Sequence, residues 1–202
     1  MKKTFIALSV LFCAAMLQMT ASLTSCNTPP PKVEKPVLSH EEMAERGKYL
    51  VTLGGCNHCH SPKVMTPEGP KVDETRLLSG SPAQMPMPAI DSTEITPGKW
   101  YLASGDLTAW VGPWGVSYAA NLTPDAETGS GNWDEELFLK MMRTGKFMGV
   151  DRGRPIMPPM PWEDIGKMTD EDLKCIFAYL HSLPSVSNRV HEYVPPPGIK
   201  NL

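Results

Sequence analysis

Residues 56 to 60 read Cys-Asn-His-Cys-His, and no other stretch constrains the chain as tightly. Two thiols three positions apart, with an imidazole directly after the second, make the C-x-x-C-H pattern of covalent c-type haem attachment. The thiols of Cys56 and Cys59 add across the vinyl groups as thioethers, and His60 is left under the ring as an axial ligand to iron. The same residues admit two other readings, a dithiol redox pair and half of a zinc site. Zinc needs further Cys or His at ligand spacing, and the sequence has no second pair. A thioredoxin-like dithiol follows a strand in a βαβ pattern, and none is visible. Covalent haem is therefore the expected chemistry.

The N-terminus agrees with that chemistry. Lys2 and Lys3 precede an apolar run from Phe5 to Leu17, and small residues follow, the layout of a secretory signal peptide over residues 1–25. Leu23-Thr24-Ser25-Cys26 resembles the lipobox of bacterial lipoproteins. That resemblance implies cleavage before Cys26, acylation of Cys26, and a protein anchored to a membrane by two or three acyl chains, enough for stable attachment. The alternatives are an uncleaved anchor or plain secretion. Either way the chain is expected outside the cytoplasm, facing the periplasm or cell exterior. Cys13 falls in the discarded segment, and the remaining thiol, Cys175, is read as a buried side chain on the last helix.

Residues 26–38 are polar and rich in proline and are read as a tether. Twelve of them in polyproline II conformation would reach roughly 37 Å at about 3.1 Å each. Loss of Lys2 and Lys3 leaves 17 basic against 22 acidic side chains. An acidic balance without a basic face argues against nucleic-acid binding and for salt-sensitive contacts with basic partner patches. The 21 prolines and 16 glycines predict a loop-rich chain.

Three helices stand out. The first begins at Ser39, which forms a capping box with Glu42, and runs with Met43, Ala44, Gly47, Leu50 and Val51 at helical spacing. Gly47 costs about 1 kcal/mol against Ala, so it is expected where another helix approaches closely. Gly54-Gly55 ends this helix and leads into the haem motif. The second is expected from Trp133 to Thr144, capped by Asn132 and stopped by Gly145. The third is expected from Asp170 to about Ser182, capped by Thr169, with Leu173, Ile176, Phe177 and Leu180 as its stripe. Tyr179 is placed against the first helix near Gly47. Residues 62–125 are read as loop, with Trp100, Trp110 and Trp114 as satellite core or, alternatively, as a wall shielding the haem. Residues 191–202 are read as an extended tail.

Between the second and third helices lies Arg154-Pro-Ile-Met157-Pro-Pro-Met160-Pro-Trp162, apolar and stiffened by proline. A rigid loop helps a weak thioether ligand stay bound. Met157 and Met160 are both available as the sixth ligand. His58, His40, His181 and His191 are weak candidates for a bis-histidine iron. Asn121 and Arg154 are possible propionate donors, though ordinary loop roles fit both better.

The order helix, C-x-x-C-H, loops, methionine loop, C-terminal helix resembles the class I c-type cytochromes over most of Ser39 to Leu183. Asn121-Leu-Thr-Pro-Asp125, Thr128-Gly129, Gly131, Trp133, Arg143-Thr-Gly-Lys146, Pro158-Pro-Met-Pro-Trp162 and Met168-Thr-Asp-Glu-Asp-Leu173 are similar to a membrane-associated monohaem branch, the cytochrome subunits that accompany periplasmic dehydrogenases. That resemblance implies a mainly α fold, a small helical domain over residues 39–190 wrapped around one haem c. It also singles out Met160, because the branch places its ligand in a Pro-x-Met-Pro-aromatic context. A long Pro/Gly-rich insertion, residues 66–118, departs from a minimal class I domain.

His/Met ligation keeps iron six-coordinate in both oxidation states and raises its potential, so the expected role is electron transfer without substrate chemistry. The expected partners are a donor dehydrogenase or quinol-oxidising complex and an acceptor oxidase or another cytochrome. The rivals are a peroxidase-like haem enzyme, a gas or redox sensor, and an obligate electron-transfer subunit of a dehydrogenase or oxidase complex.

Overall fold

A computed structural model describes residues 37–90, 93 and 95–196. The export segment, Cys13, Cys26, the tether up to residue 36 and the end of the tail lie outside the described residues. Within them no helix is long and apolar enough to cross a membrane.

Helix α1 spans His40–Leu53. Its capping box is formed as read: the Glu42 amide donates to Ser39 Oγ at 3.3 Å, and the Ser39 amide donates to Glu42 Oε2 at 2.8 Å. Helix α2 is the short turn Cys56–His60, helix α3 spans Glu135–Thr144, helix α4 Trp162–Ile165, and helix α5 Asp170–Ser182. Thr169 caps α5, accepting from the Asp172 amide at 3.1 Å.

The architecture turns on α1 crossing α5. Leu50 and Val51 of α1 meet Leu173, Ile176 and Leu180 of α5 in the main core, with Phe138, Met141 and Met142 of α3 closing the third side. The crossing is tight because Gly47 has no side chain. A Cβ there would lie 1.9 Å from the Cys175 carbonyl oxygen and 2.7 Å from Tyr179 Cβ. Gly47 and Tyr179 thus mark the close approach expected of them, and Cys175 is buried on α5. An Arg46–Asp172 ion pair at 3.0 Å ties the exposed edge of the crossing.

Two readings change. Helix α3 starts at Glu135, not Trp133, because Asp134 rather than Asn132 is its cap: Asp134 accepts from the Leu137 amide at 2.7 Å. Asn132 instead donates its side-chain amide to the Ala126 carbonyl, and the Trp133 amide closes a turn onto Ser130. Trp133 still packs against the core from outside the helix. Second, among the described residues the region read as loop holds five short strands. Strands β1 (Lys63–Thr66) and β2 (Gly69–Val72) form an antiparallel hairpin. Strands β3 (Leu102–Ala103), β4 (Ala109–Gly112) and β5 (Gly115–Tyr118) form a three-stranded antiparallel sheet. None exceeds four residues, and β4 is buried on both faces, so no apolar alternation marks them in sequence. In the described part of the tail, Val194 forms an isolated antiparallel bridge with Val116.

Candidate functional site

Helix α1 ends at Gly54, whose amide donates to the Leu50 carbonyl at 2.8 Å, and the chain reverses at Gly55 with φ of 66°. That left-handed conformation favours glycine and starts α2 at once. Within one helical turn, Cys56, Cys59 and His60 fall at i, i+3 and i+4 and so share a face. Both thiols are free and half-buried. Burial pushes both thiol pKa values up, with the Lys63 charge partly opposing this at Cys59. A redox dithiol needs the opposite, a stabilised thiolate.

His60 is fixed at both ends of its residue. Its backbone carbonyl accepts from the Gly80 amide at 2.8 Å, and its ring Nδ1 lies 2.8 Å from the Ala120 carbonyl. A carbonyl only accepts, so Nδ1 carries the proton and Nε2 keeps its lone pair. Burial lowers the pKa of this imidazole and favours the neutral form. A neutral ring with one nitrogen tethered and the other free is the form an iron ligand takes. The half-buried thiols, the tethered imidazole and the apolar surroundings fit haem c.

The residues that hold His60 were not singled out in the sequence. Segments 78–81 and 119–122 run side by side next to the motif: the Ser81 amide donates to Ala119, and the Leu122 amide to Leu78. Gly80, with φ of 82°, allows this approach, since a Cβ there would meet the 119–121 backbone at about 2.6–2.7 Å. Buried Ser61 completes the frame by accepting from the Leu78 amide at 2.9 Å. The insertion therefore leaves and returns beside His60. A residue such as Ala120, which acts through its backbone, carries no side-chain signal.

Across the site, the Ile156 amide donates to the Gly145 carbonyl and anchors the start of the methionine loop. The Trp162 ring covers Gly145, where a Cβ would lie 2.4 Å from the indole. Met160 packs against the same core cluster as Cys56. Its amide donates to the Met157 carbonyl at 3.3 Å, and its carbonyl accepts from the Trp162 amide at 2.9 Å. Met157 is half-buried but is not part of that cluster.

Asn121 has a structural role. Its Oδ1 accepts from the Thr123 amide and hydroxyl, and its Nδ2 donates to the Val186 carbonyl at 2.8 Å. The Arg154 guanidinium lies 4.0 Å over the Phe147 ring and donates to the Pro155 carbonyl. Among the other histidines, His58 is exposed and His191 sits against Tyr118. His181 stacks on Phe177 at 4.0 Å, and its Nε2 is buried without a hydrogen-bond partner. Of the tryptophans, Trp110 is buried and Trp114 half-buried, but Trp100 is 74% exposed and is not satellite core.

A family model for cytochrome c matches residues 44–184, and the chain belongs to that family. Its members are electron carriers with covalently attached haem c, and this chain is an electron-transfer protein of that kind. It is 26% identical to the gluconate 2-dehydrogenase cytochrome c subunit of Pantoea cypripedii over 150 residues, 74% of this chain and 25% of that one. It is 28% identical to the fructose dehydrogenase cytochrome subunit of Gluconobacter japonicus over 150 residues, 74% of this chain and 23% of that one. The cytochrome c subunit of the quinone-dependent alcohol dehydrogenase of Gluconobacter oxydans is 26% identical over 148 residues, 73% of this chain and 23% of that one. The chain thus spans a quarter or less of the length of these relatives.

Proposed function

We propose that this chain is a monohaem electron carrier anchored outside the cytoplasm by acylated Cys26, with a dehydrogenase as electron donor. Cys56 and Cys59 would form the two thioethers with haem c, and His60 Nε2 and the Met160 sulfur would bind its iron. The observation that carries this reading is the His60 imidazole, tied through Nδ1 to Ala120 on the same helical turn as both thiols.

The bound group supplies one-electron exchange between ferrous and ferric iron. The protein's part is to hold both ligands in place so that little geometry changes with the electron. The framed His60 and the proline-stiffened Met160 loop do this from opposite ends of the sequence. A thioether ligand and an apolar pocket both favour the ferrous state. The single C-x-x-C-H in the sequence supports one haem. The relatives named as dehydrogenase cytochrome subunits support a dehydrogenase donor, within a stable complex or by brief contacts. An oxidase or a second cytochrome is the matching acceptor.

Attachment is tested by treating the denatured protein with acid acetone. Haem should stay with the polypeptide, and the Cys56→Ser/Cys59→Ser double variant should release it. Extraction of haem from the parent protein would refute the thioethers. For the anchor, Cys26→Ala is expected to abolish fatty-acid labelling and move the protein to the soluble fraction. Undiminished labelling of that variant would place the lipid elsewhere.

A further inference from the structure

The geometry points to the β4–β5 hairpin of the insertion as a clamp on the methionine loop, with Ser117 as a positioning residue for the axial ligand and Trp114 acting through it. This rests on Met160 being that ligand. Ser117 Oγ donates to the Pro158 carbonyl at 2.6 Å and accepts from Trp114 Nε1 at 3.2 Å. An indole N–H only donates and a carbonyl only accepts, so the direction of the relay is set: Trp114 to Ser117 to Pro158.

The loop needs an outside tie. Pro155, Pro158, Pro159 and Pro161 remove four of the amide donors with which it would otherwise hold itself. Pro158 lies two residues from Met160, so a bond to its carbonyl restrains the backbone that carries the sulfur. Ser117 is 6% exposed, so the donor is held in the protein interior, although Pro158 on the accepting side is exposed.

Trp114 is itself braced. Tyr193 Oη donates to the Trp114 carbonyl at 2.5 Å, and the indole lies over Gly112, where a Cβ would come within 2.4 Å of the ring. Val116 and Val194 exchange backbone hydrogen bonds of 2.8 and 3.0 Å, which pins the tail to the same hairpin. Ser117 pairs with Trp110 across the sheet, whereas the neighbouring pair, Val111 and Val116, belongs to a separate small core. Successive strand residues point to opposite faces. One face of the hairpin therefore serves the methionine loop and the other secures the insertion.

Imidazole titration of the ferric holoprotein tests this, because imidazole enters only where the methionine lets go. Ser117→Ala and Trp114→Phe should each raise imidazole affinity about fivefold, the worth of one hydrogen bond. The double variant should match Ser117→Ala alone, since Trp114 acts through the hydroxyl. Val111→Ala loosens the sheet from its other face and should leave imidazole affinity unchanged. Parent-like affinity in both single variants, additive effects in the double variant, or an equal rise in Val111→Ala would overturn the clamp. Met160→Ala, measured alongside, separates the two ideas. If it keeps the methionine-to-ferric-iron absorption band, the ligand assignment fails and the clamp with it. If it loses the band while Ser117→Ala and Trp114→Phe behave as the parent, only the clamp fails.

Discussion

Met160→Ala is expected to erase the methionine-to-ferric-iron absorption band and lower the midpoint potential by ~0.1 V or more, within the ~0.8 V that axial ligands command. The thioether is a weak ligand, so its place on iron depends on the backbone that presents it. Met160 has both backbone groups engaged, a proline on either side, and a side chain against the core that also receives Cys56. Met157 offers a carbonyl to Met160 but lies outside that core cluster. Met157→Ala should accordingly keep both the band and the potential. The reverse pattern would transfer the ligand to Met157. A band that survives both substitutions would place a different methionine on iron, whereas a parent protein without the band would exclude methionine and direct attention to His181, whose buried Nε2 has no hydrogen-bond partner.

Gly47→Ala should cost about 3 kcal/mol of stability, at the upper end of what overpacking usually exacts. Alanine is the better helix former by about 1 kcal/mol, which acts in the opposite direction. The clash wins because its partners cannot turn aside. The new Cβ would sit 1.9 Å from the Cys175 carbonyl oxygen and 2.6 Å from its carbon, both backbone atoms inside α5. Relief requires the two helices to separate, which loosens Leu50 and Val51 against Leu173 and Ile176. Denaturant unfolding of the ferric protein measures this, with Gly105→Ala as control because a Cβ there meets open space. Equal midpoints for Gly47→Ala and the parent would mean that the crossing is not as close as described.

Legibility in the sequence followed the range of the interactions. The α1 and α5 caps were readable because Ser39 with Glu42, and Thr169 with Asp172, act within three residues. The α3 cap was misplaced by two positions because Asn132 and Asp134 both suit the role chemically. The choice went to Asp134 once Ala126 and Ser130, brought close by a turn, engaged Asn132 and Trp133. The strands of the insertion were invisible for another reason. β3 has only two residues, both exposed, and β4 has four buried on both faces, so neither length nor alternation marks them, and their pairing is specified by neighbours rather than by the strand itself.

The same division runs through the site. Cys56, Cys59 and His60 are set by spacing along one turn, and the context of Met160 by its flanking prolines, so the sequence alone determined which residues are the candidates to hold a haem. It also determined that Gly47 needs a close neighbour. Only the folded chain decided what holds those atoms in place: the Ala120 carbonyl on His60, the Gly80 approach beside it, and Ser117 on Pro158. Backbone groups are the same in every residue, so a contact made through them leaves no mark in sequence until the fold brings donor and acceptor together.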